Sequence, residues 1–495
     1  MNFALVYYLK GNNNFHIDRM IIFIFLALIT IVHAFNEVHP TFIDNGSSYF
    51  VSMVEEIPKQ FQAMKKQQTI GLLPNTTISE SPSSTASIQT ETMTAGMTYL
   101  NPTSKDEAFS VNITINAKDY PVLLDTGSPY LWLYASNCTD NSCLGKDNFD
   151  SSKAHELNGT FALSYDSGIA SGHIYEDSII IGGFETHDYK FGVADHVPDL
   201  FEPYQFSGVL GLPADNSSST GLVNAISFLF ENGDIRQSKF TICIGEYESE
   251  RDNSGLLFFG ETKEQLHEGE IYTSPLIEEA VSHWEFKIDS VYVNDYQITF
   301  DSLKIDQENS TTSRIGLLDS GTTSLILSTS DATKIHSFFE DSITDGQNFA
   351  IYCNSTLEFE IEISGKNWTL TPDMYISSAY PSNGDLSGYC VSSIQGIDFT
   401  EDGAWILGIL FMKDKYVEFD YENQWIGLAE RNNNLKFVEA PKSTAPVPTA
   451  STTITTSSSI AATAISTISS VKNDAYSQKS QRQWIFPFIL SLLAY

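Results

Sequence analysis

Basic residues are scarce in this sequence of 495 residues. It has 27 lysines and arginines against 62 aspartates and glutamates, which gives a formal net charge of −35 at pH 7. Nucleic-acid phosphates require a basic protein face, so this composition argues against a nucleic-acid partner. The acidic balance suits a soluble protein that works in acid, where protonation relieves self-repulsion. It would also favour cationic substrates, unless it is only a solvated acidic surface.

Cysteine is sparse too, with five in the chain. No Cys-x-x-Cys pair or Cys/His cluster occurs, so we expect no metal site and no cofactor. Cys138 and Cys143 are close enough in sequence to form a disulfide, and Cys353 and Cys390 offer a second pair. Cys243 lies in an apolar run and is predicted to be a buried free thiol. Because Gly-x-Ser-x-Gly is also absent, a serine or cysteine hydrolase is disfavoured.

Long apolar runs are confined to the two ends of the chain. Residues 20–32 follow Arg19 and precede small or branched residues, which is the pattern of a secretory signal peptide. We therefore predict a signal peptide over residues 1–34. Two alternatives stay open: Met20 is the true start, or the signal remains uncleaved as an anchor.

The C-terminal apolar tail, residues 484–495, has 12 residues and is short for a helix that crosses a bilayer. A polar spacer and small residues precede it, as in a GPI-attachment signal. The sequence predicts attachment at Asn473, with Ser469 or Ser470 as alternatives, and removal of residues 474–495. The other interpretation is a hydrophobic terminus with no such role.

Ser, Thr and Ala dominate residues 437–473, which cannot bury enough apolar surface to fold. This composition predicts an O-glycosylated stalk. Together with the two ends, it predicts a secreted glycoprotein that reaches the cell surface and is GPI-anchored in the plasma membrane or cell wall. Nine sequons agree with that route: Asn45, Asn75, Asn112, Asn137, Asn158, Asn216, Asn309, Asn354 and Asn367.

Between these ends, residues 35–98 have few strand patterns and are predicted to be a propeptide and linker. The body that follows has short runs rich in Val, Ile, Phe and Tyr, separated by Gly, Asn, Asp and Ser, which predicts an all-β fold. Examples are residues 109–115, 284–293 and 416–420. Apolar spacing predicts few helices, with 221–232 and 331–341 as the best candidates.

A weak internal repeat divides the body. Residues 122–128 (VLLDTGS) and 316–322 (GLLDSGT) each place an aspartate at the end of an apolar run, before a hydroxyl residue and glycine. Asp125 and Asp319 are 194 positions apart. Two apolar residues and a glycine follow each aspartate downstream, at 209–211 and 406–408. We therefore predict two related lobes, over residues 99–265 and 266–436.

Two carboxylates presented on opposing loops favour hydrolysis without a metal or a covalent intermediate. When they lie close together, both cannot ionise easily, and they share one proton. One then acts as a general base on water, and the other as an acid towards the scissile carbonyl and its leaving nitrogen. Asp125 and Asp319 are the predicted catalytic residues, and no metal is expected.

The motifs resemble those of the pepsin-like aspartic protease family. Residues 125–128 followed by 131–133 resemble its first active-site motif, and 317–323 its second. Residues 206–212 and 405–408 resemble the glycine segments beneath the two active-site loops, and 165–168 resembles the flap hairpin. The match covers about residues 99–436, and it implies a bilobal, monomeric zymogen that cleaves proteins or peptides.

The resemblance also assigns roles. The implied active-site support comprises Thr126, Gly127, Ser128, Ser320, Gly321, Thr322 and Trp132, with Trp132 hydrogen-bonded to the flap tyrosine. The implied flap and substrate-binding residues are Tyr165, Asp166, Ser167, Gly168, Leu123, Leu200, Phe206 and Val209. The implied disulfides are Cys138–Cys143 and Cys353–Cys390.

A stalk and a GPI signal on such a body resemble the fungal yapsin branch, which is surface-anchored and favours basic residues. Asp166 in the flap could meet a basic substrate side chain, or it is only a solvent-exposed hairpin residue. Ile409 departs from the family, which usually has Asp after this glycine segment. Two alternatives therefore remain: a catalytically silent surface or cell-wall glycoprotein of the same fold, and an adhesin whose body recognises a ligand.

Overall fold

The computed structural model describes most of the body. The described ranges are 51–52, 89–92, 94–102, 108–165, 168–215, 221–245, 255–277, 282–304, 310–398 and 403–438. The predicted signal peptide, most of the propeptide, the stalk and the GPI signal lie outside these ranges. So do seven individual predictions, at Asn45, Asn75, Asp166, Ser167, Asn216, Asn309 and Asn473.

Strands make up about half of the described chain and helices far less, which confirms the all-β prediction. In chain order they are β1 Val51–Ser52, β2 Gln89–Thr92, β3 Met97–Tyr99, β4 Asn101–Pro102, β5 Phe109–Ile115, β6 Lys118–Asp125, β7 Trp132–Tyr134, β8 His155–Tyr165, β9 Gly168–Ile181, β10 Phe184–His196, β11 Gly208–Gly211, β12 Lys239–Ile244, β13 Gly255–Phe259, β14 His267–Pro275, β15 Glu285–Ile288, β16 Ser290–Val293, β17 Tyr296–Gln297, β18 Leu303–Lys304, β19 Ser310–Thr311, β20 Arg314–Leu318, β21 Leu325–Leu327, β22 Ile343–Thr344, β23 Phe349–Tyr352, β24 Phe359–Ile363, β25 Lys366–Leu370, β26 Ile376–Ala379, β27 Tyr389–Ser392, β28 Ile394–Gly396, β29 Trp405–Leu407, β30 Lys415–Asp420, β31 Trp425–Arg431 and β32 Leu435–Val438.

The described α-helices are few and short: α1 Ala225–Glu231, α2 Thr329–His336, α3 Pro372–Tyr375 and α4 Ile409–Met412. Short 3₁₀ helices cover Asn141–Cys143, Ser151–Lys153, Asp199–Phe201 and Glu264–Leu266.

Both predicted helices exist, but with different bounds. α1 begins later than predicted because the Asn224 side chain accepts a hydrogen bond from the backbone N–H of Ser227, at 3.0 Å, and so caps the helix at that point. α2 begins at Thr329, where the Ser328 side chain provides the cap, and ends at His336. Apolar spacing marked the faces of both helices but carried no signal for either boundary.

One predicted strand run is divided. Residues 284–293 become β15 and β16, because β15 pairs with β20 while β16 pairs with β24 in another sheet. Local composition shows that the run is extended, but it contains nothing that identifies the change of partner.

Tight hairpins connect several neighbouring strands. Asn116 and Ala117, between β5 and β6, both have positive φ angles of 52° and 59°, and Asn294 and Asp295, between β16 and β17, have 46° and 64°. Two consecutive positive φ angles match the twist of the flanking strands, and Asn and Asp tolerate them best. The first of these turns sets the register of β6 against β5, and β6 ends at Asp125.

Some of the larger sheets come from one half of the chain, and others combine strands of both halves. An eight-stranded sheet in the order β4-β5-β6-β11-β7-β10-β9-β8 comes from the first half. A five-stranded sheet, β15-β20-β29-β21-β28, belongs to the second half. A six-stranded sheet, β14-β31-β30-β12-β13-β3, takes three strands from each half and joins them.

Large side chains fill the space between these sheets. Trp132, Trp284, Trp368 and Trp405 are all fully buried. Burial on this scale is the main source of stability for the fold. Within the described part of the chain, no helix is both long and apolar enough to cross a lipid bilayer.

Candidate active site

A parallel neighbouring strand holds the end of β6, where Asp125 lies. β11 places Gly211 opposite Asp125, and the backbone N–H of Leu212 donates to the Asp125 carbonyl at 2.9 Å. A Cβ atom at position 211 would lie 2.4 Å from the backbone nitrogen of Tyr130. Only glycine therefore lets this strand pass so close to the Asp125 turn.

The second half repeats this arrangement at the end of β20. β29 pairs with β20 so that Leu407 lies opposite Leu318, and the Asp319 backbone N–H donates to the Leu407 carbonyl at 3.3 Å. A Cβ atom at Gly408 would lie 2.4 Å from the carbonyl oxygen of Thr322. The two glycine segments therefore support the two aspartate turns in the same way.

Each carboxylate accepts hydrogen bonds from its own turn. The Gly127 N–H donates to Asp125 Oδ1 at 2.8 Å, and the Ser128 hydroxyl donates to Oδ2. Asp319 has matching donors in the second turn, the Gly321 N–H and the Thr322 hydroxyl. Both aspartates have no exposed surface, so these donors determine where each carboxylate points.

Hydroxyl groups tie the two turns to each other. Thr126 Oγ1 donates to the Leu318 carbonyl at 3.0 Å and accepts from the Ser320 N–H at 2.9 Å. Ser320 Oγ donates to the Leu124 carbonyl at 2.9 Å and accepts from the Thr126 N–H at 3.1 Å. These four bonds join residues more than 190 positions apart, and they bring the two carboxylates into one site.

Burial raises the pKa of both aspartates, and the charge of the other carboxylate adds to this rise only for Asp125. Burial, followed by the charge of Asp319, holds the pKa of Asp125 well above its usual range. Burial also raises the pKa of Asp319, against the hydrogen bonds from Thr322 and Gly321 that stabilise its charged form. A pair in this environment retains a shared proton well above the pH at which an exposed carboxylate would lose it.

A long hairpin of β8 and β9 brings Tyr165 to the same place. Tyr165 lies opposite Gly168 at the end of the hairpin, and its hydroxyl accepts a hydrogen bond from Trp132 Nε1 at 2.8 Å. The same hydroxyl lies 3.2 Å from Ser128 Oγ, which in turn donates to Asp125. A continuous chain of hydrogen bonds therefore runs from the hairpin to one carboxylate.

A family model for eukaryotic aspartyl proteases matches residues 107–431. The chain belongs to this family. It is therefore an enzyme, an aspartic-type endopeptidase, with the pepsin-like fold that the sequence predicted.

Similar curated proteins agree with this assignment. The aspartic-type endopeptidase ctsD of Aspergillus fumigatus is 28% identical over 352 residues, which cover 69% of each chain. Pepsin A of Bos taurus is 26% identical over 330 residues, 65% of this chain and 82% of that protein. Vacuolar protease A of Aspergillus fumigatus is 29% identical over 320 residues, 63% of this chain and 75% of that protein.

The predicted substrate-binding residues of this protease are placed at different depths. Leu123 and Val209 have no exposed surface and lie opposite each other in β6 and β11. Phe206 is buried as well and stacks on Tyr204, with ring centroids 5.4 Å apart. Leu200 is only partly buried. The pocket roles of these residues stay predictions.

Two residues next to the dyad were missed in the sequence. His283 lies two residues before β15, where Glu285 is opposite Leu317 of β20, and the charge of His283 lowers the pKa of Asp319. Trp284 Nε1 donates to the Leu212 carbonyl at 2.8 Å, which is a further link between the halves. Trp284 begins the run 284–293, which we predicted only as a strand, and His283 lies just before that run; no motif marks either residue.

The five cysteines have the predicted arrangement. Disulfides join Cys138 to Cys143 and Cys353 to Cys390. Cys243 is free and buried, and burial raises the pKa of its thiol to about 12. A thiol of this kind is inert, because the thiolate is the reactive form.

Among the described residues, no group of three or more His, Cys, Asp or Glu side chains is arranged to hold a metal ion. The described sequon asparagines are all exposed: Asn112, Asn137, Asn158, Asn354 and Asn367. Their glycosylation stays a prediction.

Ile409, the departure from the family pattern, lies behind the second turn. It is buried, and its backbone N–H donates to the Thr322 carbonyl at 2.8 Å. With Ile409 at this position, the Gly321 N–H and the Thr322 hydroxyl still donate to the Asp319 carboxylate.

Proposed function

We propose that Asp125 and Asp319 together hydrolyse peptide bonds by activating a water molecule. The observation that carries this proposal is the matched geometry of the two carboxylates. Both are fully buried, each accepts from a glycine N–H and a hydroxyl, and the pKa of each is raised. Two adjacent carboxylates repel each other and cannot form an ion pair, but they can share one proton and act together as an acid and a base.

The proton inventory follows from the environment. Asp125, whose pKa is raised further by the charge of Asp319, carries the shared proton, and Asp319 is ionised. Asp319 takes a proton from water as its oxygen attacks the carbonyl carbon, and Asp125 gives its proton to the carbonyl oxygen. Asp319 then gives the proton that it took from water to the nitrogen, Asp125 takes a proton back from one hydroxyl of the tetrahedral intermediate, and the C–N bond breaks to release an amine and a carboxylic acid.

We further propose that the protease acts on secreted or cell-surface proteins, with a preference for basic residues. The strongly acidic composition supports this, because it attracts cationic substrates. The signal pattern, the stalk and the GPI pattern support a yapsin-like enzyme at the plasma membrane or cell wall, and five exposed sequons fit the same route.

Peptide cleavage tests this function. The secreted chain is incubated with a mixture of peptides, some with one or two basic residues, between about pH 3 and pH 6, where a carboxylate pair holds one proton. Asp319→Asn should abolish cleavage, and pepstatin should inhibit the wild type. Asp295→Asn, at an exposed turn residue, is the matched control.

The outcomes separate the candidates. Cleavage that requires Asp319 supports the protease, and the cleaved sites decide the basic preference. A folded, processed wild type that cleaves nothing would instead favour the catalytically silent surface glycoprotein.

A further inference from the structure

The loop closed by the Cys138–Cys143 disulfide faces a short stretch of chain at residues 197–201, which we call the wall segment. The wall segment follows β10 and contains the 3₁₀ helix Asp199–Phe201. Loop and wall segment are more than 50 positions apart in sequence, so their contact depends on the tertiary structure. Three polar side chains in and just after the loop bind three backbone groups of the wall segment.

These three bonds are short and well defined. Asp140 Oδ2 accepts from the Val197 N–H at 2.8 Å. Ser142 Oγ donates to the Pro198 carbonyl at 2.7 Å. Lys146 Nζ donates to the Phe201 carbonyl at 2.6 Å.

The charge environment of the loop supports this arrangement. The His196 ring lies 3.6 Å from the same Asp140 oxygen that binds Val197. The Lys146 ammonium group lies 5.2 Å from the centre of the Tyr134 ring, a cation–π distance. Burial lowers the pKa of Lys146 to about 8, and Glu202 opposes that change.

The other side of the wall segment meets the flap. The Phe201 ring, which has no exposed surface, lies edge-on to Tyr165 with ring centroids 5.4 Å apart and to Trp132 at 5.6 Å. The hairpin also passes close to Pro198, since a Cβ atom at Gly168 would lie 3.2 Å from Pro198 Cβ. The flap tyrosine therefore rests on a segment whose backbone is held by the loop.

Two of the three bonds are not needed to satisfy the backbone. The Pro198 carbonyl also accepts from the Phe201 N–H at 3.2 Å, and the Phe201 carbonyl accepts from the Tyr204 N–H at 3.3 Å. Removing Ser142 Oγ or Lys146 Nζ therefore leaves no buried carbonyl without a donor, so the folding cost is small. What these two side chains determine is the position of the wall segment.

We propose that Asp140, Ser142 and Lys146 are positioning residues that clamp the wall segment against Tyr165. The clamp thereby sets how tightly the cleft holds the substrate residue before the cut. Leu200 lies within the clamped segment and is partly exposed, so it can contact that residue. This proposal rests on the proposed protease function, whereas the clamp itself is a property of the fold.

Ser142→Ala and Lys146→Met test the clamp in the full secreted chain. Ser342→Ala is the matched control, because Ser342 is also fully buried and its hydroxyl donates to a backbone carbonyl, that of His336, at 2.8 Å in the second half of the chain. Lys146→Arg, which keeps a donor and a charge, is the rescue variant.

Two readouts are expected to change. Amide hydrogen exchange should become faster in residues 197–204 and 168–175 in both test variants and stay unchanged there in Ser342→Ala. KM should rise about three- to tenfold for peptides with Phe or Leu before the cut, the effect of one hydrogen bond. It should rise less for peptides with Ala there, kcat should change little, and Lys146→Arg should restore both readouts.

Unchanged exchange in residues 197–204 would overturn the clamp. An equal rise in KM for both peptide classes, or a rise matched by Ser342→Ala at the same loss of Tm, would show that the side chains act only through general stability. If the wild type cleaves no peptide, the proposed function fails, and the exchange result alone then decides the clamp.

Discussion

The turn that carries Asp125 and the turn that carries Asp319 hold their carboxylates with the same donors but have different surroundings. Above Asp125, Ser128 connects the carboxylate to Tyr165 of the flap hairpin. On the side of Asp319, the charge of His283, which lies two residues before β15, acts on the carboxylate. The glycine and hydroxyl donors common to both turns place the two carboxylates. The different neighbours, Tyr165 on one side and His283 on the other, make the carboxylates chemically unequal.

The two halves also use an indole N–H differently. Trp132 Nε1 donates to Tyr165, at the end of a hairpin. Trp405 Nε1 donates to Asp331 at 2.8 Å, and Asp331 forms a buried bidentate pair with Arg314 at 2.6 and 2.8 Å. In the first half the indole N–H holds the tyrosine of the predicted flap, whereas in the second half it binds a carboxylate in the core.

The largest effect is expected from substitution of the two aspartates, which the turns hold in the same way. Asp125→Asn and Asp319→Asn should each lower kcat by about 10³-fold or more, because each removes one partner of an acid–base pair. Equal losses, with Tm kept within a few degrees, would support one dyad. If either variant kept near wild-type kcat, the carboxylates would not act as a pair.

Asp331→Asn tests how much the buried contacts of Asp331 with Arg314 and Trp405 stabilise the second half. It leaves the buried Arg314 charge without its partner, which should lower the free energy of unfolding by about 3 kcal/mol. Urea denaturation measures this loss. Activity per folded molecule should stay close to wild type, since Asp331 does not contact the dyad donors. A large fall in kcat with unchanged stability would contradict this picture.

A buried histidine makes the second half sensitive to acid. His336 has no exposed surface, its Nδ1 donates to the Ala332 carbonyl, and burial lowers its pKa from 6.5 to about 3. The folded state therefore binds fewer protons than the unfolded state, so stability present above pH 6.5 is lost as pH falls towards 3. The loss should reach about 3 kcal/mol at pH 4.

His336→Gln should flatten the dependence of unfolding free energy on pH across this range, whatever its effect at pH 7. His187→Gln, at an exposed histidine, is the control. If both variants kept the wild-type slope, the source of the acid sensitivity would lie elsewhere.

Thr126→Val and Ser320→Ala compare the bonds that join the two turns. Each removes one donated and one accepted bond and leaves one buried backbone N–H unpaired. We expect each to cost about 2 kcal/mol of stability. Because the two sites are equivalent, unequal costs measured by chemical denaturation would show that one turn depends on the link more than the other.

His283→Gln should give the smallest change. The charge on His283 lowers the pKa of Asp319, so its removal should raise that pKa. The acid limb of the kcat/KM profile should then move to higher pH by a few tenths of a unit, because the charge of His283 is the smallest of the influences on that pKa. A shift to lower pH would contradict the sign.

Local sequence was sufficient to locate extended segments and the two aspartate turns. The β5 prediction, 109–115, matches the structure, and the repeat around Asp125 and Asp319 identified two equivalent turns. Alternating apolar residues and glycine at fixed offsets are properties of short segments, so they can be recognised in one chain. The cysteine pairs were accessible for the same reason, with the family pattern to select them.

Only the tertiary structure determined what meets at the site. The division of 284–293 at Asp289, the position of His283 beside Asp319, and the contact of Ser142 with Pro198 all depend on which strands pair. These contacts join residues up to about 70 positions apart, and no local pattern encodes a partner at that distance. The sequence thus determined which residues could carry the chemistry, and strand pairing decided which neighbours would tune and position them.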